Sequence, residues 1–124
     1  MASENDEPQG TLVDANVLLD LITADPDWAP WSAARLTEAA GAGPLVINPI
    51  VYGEVSLSFE SIESLDATIS GDRFVRAPLP WSAAFLAARC FRTYRQRGGT
   101  KTSTLPDFFI GAHASVVGLR LLDP

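Results

Sequence analysis

Residues 11–21 read TLVDANVLLDL, and the hydrophobic pattern changes character at one acid within them. Thr11 to Val13 form a short apolar run, while Val17, Leu18 and Leu21 recur at helical spacing. A strand that ends at Asp14 and passes at once into a helix is the opening of a β-α unit. The same alternation continues down the chain. A helix is expected from Trp28 to Ala40, closed by GAGP, followed by a buried strand LVI at 45–47. Pro49 suits the first turn of a third helix reaching about Phe59, and SIESLDATI predicts a fourth, closed by Ser70 and Gly71. RFVRA is a third strand and residues 80–97 a long helix stopped by Gly98 and Gly99. A loop GGTKTST, the helix LPDFFIGAHASVVG and a last strand LRLL complete the chain. Strands alternating with helices predict a parallel sheet covered on both faces, an α/β fold.

The composition bounds the class. The 124 residues are 47% hydrophobic and 19% charged, enough for one domain with a core. No apolar run approaches the roughly 18 residues that cross a bilayer, and MASENDEPQG lacks a signal core, so a cytoplasmic protein without membrane contact is expected. Residues 1–10 are polar and acidic and are expected outside a single domain spanning 11–124. The single cysteine, Cys90, excludes an internal disulfide and a multi-cysteine zinc site; lying among Leu86, Ala87 and Phe91, it is expected to be buried.

Fifteen acids against nine Lys and Arg give a net charge of −6, which argues against indiscriminate nucleic-acid coating. Five of the nine basic residues nevertheless fall between positions 89 and 101: Arg89, Arg92, Arg95, Arg97 and Lys101. The spacing of the first three keeps them near one another on a helix, either as a solvated face or as a ridge for a phosphate backbone.

Three acids stand where solvation alone would not put them. Asp14 ends a buried strand, where N-capping of the next helix explains it as readily as a site does. Glu54 falls between Ile50 and Val51 on the helical wheel, in the apolar stripe that should face the sheet. Ionised there, it needs a partner, a proton or a metal. Asp107 closes a T-x-x-D capping pattern with Thr104, but Gly111 and Ala114 beside it leave open space. Asn16 is a supporting candidate, able to orient Asp14. In doubly wound folds ligands gather at the carboxyl ends of the strands. Like-charged pairs 4 Å apart cost about 4 kcal/mol each at an effective dielectric near 20, so three converging carboxylates require a cation. Oxygen ligands without His or Cys favour Mg²⁺, with Mn²⁺ as a substitute, and the chemistry implied is metal-assisted phosphodiester hydrolysis.

The stretches LVDANVLLDL, NPIVYGEVS and LPDFFIGAHASVVGLRLL, in this order and spacing, resemble the PIN-domain family over about Thr11 to Leu122, in particular the VapC-type ribonuclease toxins of VapBC toxin–antitoxin modules. The resemblance implies a three-layer α/β/α sandwich, with Asp14, Glu54 and Asp107 as magnesium-binding catalytic acids and endoribonuclease activity on RNA. A homodimer and a cognate antitoxin whose C-terminal segment covers the site are implied as well. The family typically carries a fourth acid in a pattern like L-L-T-x-D. Here LRLLDP offers Asp123 about two residues early, either as an imperfect fourth metal ligand or as a sign that a final strand is missing.

Other residues are read more simply. His113, the only histidine, projects about 120° from Asp107 and is expected in the core or an interface. Trp28, Trp31 and Trp81 are core or partner-binding anchors, and Asp20, Asp25 and Asp27 are solvated. GGTKTS fails the spacing of a phosphate loop. Two alternatives to a nuclease toxin stand beside it. One is a catalytically weak PIN-like module that binds antitoxin or RNA without cleavage. The other, a phospho-acceptor domain, wants an acid where Asn48 stands.

Overall fold

A computed structural model describes residues 10–69, 71–98 and 104–124. Its elements are β1 (Thr11–Val13), α1 (Ala15–Ile22), α2 (Ala29–Ala42), β2 (Leu45–Ile47), α3 (Pro49–Ser56), α4 (Ile62–Thr68), β3 (Phe74–Arg76), α5 (Trp81–Gln96), α6 (Leu105–Val117) and β4 (Arg120–Leu122). The four strands are parallel in the order β3-β2-β1-β4. From β1 the chain steps outward to β2 and β3, then returns across the sheet to β4 on the far side of β1. Right-handed crossovers in the two senses lie on opposite faces, which gives the three-layer sandwich.

The strands are only three residues long, and β1 and β2 are buried throughout, as expected of a sheet covered on both sides. The main core gathers Leu12, Val13, Ile47, Val51 and Val55 with Ile110 of α6. A smaller apolar cluster, built on Ala83, Ala87 and Ala112, packs α5 against α6. Among the described residues, no helix is long and apolar enough to cross a membrane.

β1 begins at Thr11, and the backbone contacts beside it include the residue before. Gly10 is buried; its carbonyl accepts from Arg120 N at 3.0 Å, and Thr11 N donates to the Pro44 carbonyl at 3.0 Å. Gly10 has φ +155°, and a Cβ there would sit 2.7 Å from the Pro44 oxygen, so only glycine lets the two backbones approach.

Several local expectations shift. α3 ends at Ser56 rather than near Phe59, with the Ser56 hydroxyl donating to the Tyr52 carbonyl at 2.7 Å in the last turn. Asp20 and Asp25 are not merely solvated. Asp20 accepts from the hydroxyl of fully buried Ser32 at 2.9 Å, joining α1 to α2, and Asp25 accepts from the N–H groups of Asp27 and Trp28 at the entry to α2. Ser70, the loop residues 99–103 and the leader residues 1–9 lie outside the described residues.

Cys90 corrects its expectation: the thiol is exposed. It shares a hollow with Gly111 of the facing helix, and a glycine has no side chain with which to cover it. Trp28, Trp31 and Trp81 are likewise exposed, Trp81 at 92%, so none is a core anchor.

Replacing Gly10 with alanine is expected to destabilise the domain by about 1–3 kcal/mol, from forced backbone strain and the clash with Pro44. Urea unfolding of the two proteins checks this, and an unchanged midpoint contradicts it.

Candidate active site at the carboxyl rim of the sheet

All four strands end at one rim, and the order of the sheet reverses between β1 and β4. Asp14 follows β1 directly and Asp123 follows β4. The register pairs Val13 with Leu122, and Asp14 N donates to the Leu122 carbonyl at 2.9 Å. The two acids therefore leave neighbouring strands side by side, about one strand spacing of 4.8 Å apart at the backbone. β4 runs up to this rim and α6 must run down to reach its start, so Asp107 in the first turn of α6 comes to the same edge.

Each carboxylate has its own setting. Asp14 is 6% exposed, and its Oδ2 accepts from Asn16 N at 3.2 Å, so it caps α1 while facing the rim. Burial raises its pKa above the ordinary carboxylate value, hydrogen bonds from the backbone and side chain of Asn16 pull it back, and the charges of Asp107 and Asp123 raise it again. Asn16 thus steadies the ionised form of Asp14. Glu54 is half-buried, and one carboxylate oxygen, Oε1, is buried with no hydrogen-bond partner. Its pKa is raised by burial first, then by Asp14 and Asp107. The Asp107 carboxylate accepts from Thr104 N at 3.0 Å and from the Thr104 hydroxyl at 3.1 Å, so the capping reading is correct without accounting for the charge this residue imposes on Asp14 and Glu54. Asp123 is exposed and still raises the pKa of Asp14.

The fold therefore brings Asp107 and Asp123 within electrostatic reach of Asp14, and Asp14 and Asp107 within reach of Glu54. Among the described residues no three His, Cys, Asp or Glu side chains are close enough to hold a metal ion as they stand. The donors are all oxygens, one is buried without a partner, and the charges repel. A hard divalent cation is the ion such a donor set would suit, with Asp14, Glu54, Asp107 and Asp123 as the residues that would have to turn towards it.

A pair not foreseen from the sequence sits behind the rim. Asn48 follows β2 and caps α3: its Oδ1 accepts from Val51 N at 2.9 Å. That bond fixes the amide orientation, so Nδ2 donates to Nδ1 of His113, 3.0 Å away and 65 positions on. His113 must then carry its proton on Nε2. Its pKa is lowered by burial, which keeps the ring neutral at neutral pH. This buried bond ties the start of α3, the Glu54 helix, to α6, the Asp107 helix. The available signal was a lone polar residue inside an apolar helix, which says nothing of its partner.

The basic residues separate. Arg89 lies over the Phe85 ring at 4.9 Å and Arg95 over Phe91 at 5.6 Å, on different sides of α5. Arg89 and Arg97 border a hollow that Arg92 and Arg95 do not line, and Lys101 lies outside the described residues.

The model of the PIN domain family matches residues 11–122, and the chain belongs to that family, whose members are generally nucleases. Solved structures share the fold at low identity. A chain of the VapBC2 complex of Rickettsia felis bound to a promoter DNA fragment matches with TM-score 0.69 and 18% identity, covering 91% of this chain and 85% of that one. A chain of VapBC-1 from nontypeable Haemophilus influenzae gives 0.63 and 16%, covering 91% and 96%. A toxin–antitoxin complex from Klebsiella pneumoniae gives 0.64 and 22%, covering 92% and 85%. No curated protein matches the chain.

Because Asp14 and Glu54 titrate above their unfolded values, their contribution to stability is fully present below about pH 4 and is lost as pH rises through the folded pKa. In the metal-free protein at pH 7, Asp14→Asn and Glu54→Gln are each expected to raise Tm by a few degrees, and the gain should vanish near pH 4. Thermal melts in EDTA across that range check it; a lower Tm at pH 7 contradicts it. Asn48→Ala has the opposite sign, since it removes a cap and strands His113, and is expected to cost about 1–3 kcal/mol.

Proposed function

We propose that this chain is a magnesium-dependent endoribonuclease toxin of the VapC type, hydrolysing RNA and held in check by a cognate antitoxin. One observation carries the reading: acids from four separate parts of the chain meet at the switch point of the sheet, where Asp14 feels the charges of Asp107 and Asp123, Glu54 feels those of Asp14 and Asp107, and a Glu54 oxygen is buried and unsatisfied. Family membership and the likeness to chains from toxin–antitoxin complexes support it.

A bound Mg²⁺, or Mn²⁺ in its place, would acidify a water and neutralise charge developing at phosphorus. The protein's own groups divide the remaining work. Asp14, steadied by Asn16, and Asp107, oriented by Thr104, fix two negative charges at the mouth of the site. Glu54, with its pKa raised and Oε1 unpaired, suits the uptake of a proton from the attacking water at that oxygen. Asp123 adds charge from the open side. A cognate antitoxin has exposed Trp28 and Trp31 to anchor on, and a homodimer belongs to this reading, with exposed Trp81 as apolar surface.

One observation favours the alternative, a PIN-like module that binds antitoxin or RNA without cutting. The four acids, as they stand, do not form a closed ligand set among the described residues. Total RNA incubated with the purified chain decides between the two. The toxin reading expects fragments only with Mg²⁺ or Mn²⁺, with the rate falling about 100-fold or more in Asp14→Ala and Glu54→Gln. RNA left intact at every metal concentration, by a chain that still binds its partner, would establish the module. Sedimentation as a monomer at micromolar concentration would remove the homodimer.

A further inference from the structure

α5 and α6 pack antiparallel. Phe91 and Tyr94, late in α5, lie against Phe108, early in α6, with ring centroids 5.4 and 5.5 Å apart. Leu86 and Cys90 face Gly111 and Ser115 further along. The basic end of α5 therefore lies at the end of the pair that carries Asp107.

Two hollows flank this region. The first, of about 470 Å³, runs beside Asp107, Gly111 and Ser115 to Cys90. The second, of about 550 Å³, begins at Cys90 and is bordered by Thr93, Arg89 and Arg97. Cys90 borders both, and the two are taken together as one trough, with a rim carboxylate at one end and two guanidinium groups at the other. Gly111 keeps it open, since a side chain at that position would project into it.

We infer that this trough holds the sugar–phosphate backbone of the RNA strand, with Arg89 and Arg97 gripping phosphates beside the acidic rim; the inference rests on the nuclease reading above. The charge arrangement argues for a polyanion. The chain carries a net −6, yet among the described residues Arg89 and Arg97 make no ion pair. Arg89 stacks its face over Phe85, which holds the guanidinium in place and leaves its in-plane N–H groups to donate to phosphate oxygens. Positions 89 and 97 are eight residues apart on one side of α5, about 12 Å along the axis, so they serve different phosphates. Arg92 and Arg95 line neither hollow. Across the trough from the guanidinium groups, the acids at the rim repel the same backbone unless a cation masks them, so the strand is held on one side and admitted to the acids only with the ion.

The test uses a fluorescent single-stranded RNA and the full chain in EDTA, where cleavage is silent. Arg89→Ala/Arg97→Ala is expected to weaken binding about tenfold. At roughly 0.7 per phosphate contact, the slope of log affinity against log salt should fall by about 1.4. Arg92→Ala/Arg95→Ala should stay within about twofold of wild type. Cys90, the only thiol, gives a readout that needs no folded arginine variant. RNA should slow its labelling by a bulky maleimide, and the labelled protein should lose RNA affinity. Equal losses in the two double variants, or maleimide labelling indifferent to RNA, overturn the assignment. So does protection of Cys90 by polyglutamate but not by RNA, which would give the trough to an acidic protein segment. The two readings fail separately. Wild-type Mg²⁺-dependent cleavage by Arg89→Ala/Arg97→Ala overturns the trough alone; RNA that protects Cys90 but is never cut overturns the nuclease and leaves the trough standing.

Discussion

Like-charge repulsion at the carboxyl rim of the sheet is the constraint on which the other features depend. Carboxylates that face one another in a half-dry setting oppose each other's ionisation, and the cost is drawn from the small stability that a domain has in reserve. Asp14 is buried, and its charge is opposed by Asp107 and Asp123 on two other elements; Glu54 is opposed by Asp14 and Asp107. Only partial compensation comes from within the chain, through Asn16 at Asp14 and Thr104 at Asp107. A fold that keeps such an arrangement gives up stability in the metal-free state. On the reading proposed above, what it gains is a ready electrostatic demand for a cation at a single edge.

That demand has to be met without the scaffold giving way, and the buried groups behind the rim serve this. Asn48 closes the first turn of α3 with one end of its amide and reaches His113 in α6 with the other. The bond is short, buried and shared between the two helices that carry Glu54 and Asp107. Burial keeps His113 neutral, so no further charge is added near the acids. On the outer side, Asp66 accepts from both the Tyr52 hydroxyl and Arg76, fastening α3 and α4 to β3.

Most of the architecture was legible because strand–acid–helix transitions are local. The apolar run ending at Asp14 and the apolar stripe through Glu54 both carried over into the fold, down to the three-residue strands. The parallel sheet and its layers followed from alternation and resemblance together, whereas the order of the strands came only from the structure. What the pattern could not carry was pairing at a distance. Asn48 entered the sequence reading only as the residue that a phospho-acceptor would replace with an acid, and nothing local joins it to a residue 65 positions away. Cys90 shares the helical stripe of Ala83 and Ala87, so its exposure depends on Gly111 in another helix. The basic residues of α5 looked like one ridge because three-residue spacing keeps neighbours close. Packing against α6 decides which of them border the trough, and Arg89 and Arg97 are the pair that do. Asp123 looked misplaced by its distance from the strand motif, whereas the pairing of Val13 with Leu122 sets it beside Asp14.

Crystals of the full chain grown with Mn²⁺, measured for anomalous scattering, test the central claim most directly. The account expects an anomalous peak bonded to oxygens of Asp14 and Asp107, with Glu54 or Asp123 completing the protein ligands at about 2.2 Å. Well-ordered carboxylates pointing into separate regions, with no peak between them at saturating Mn²⁺, would contradict it.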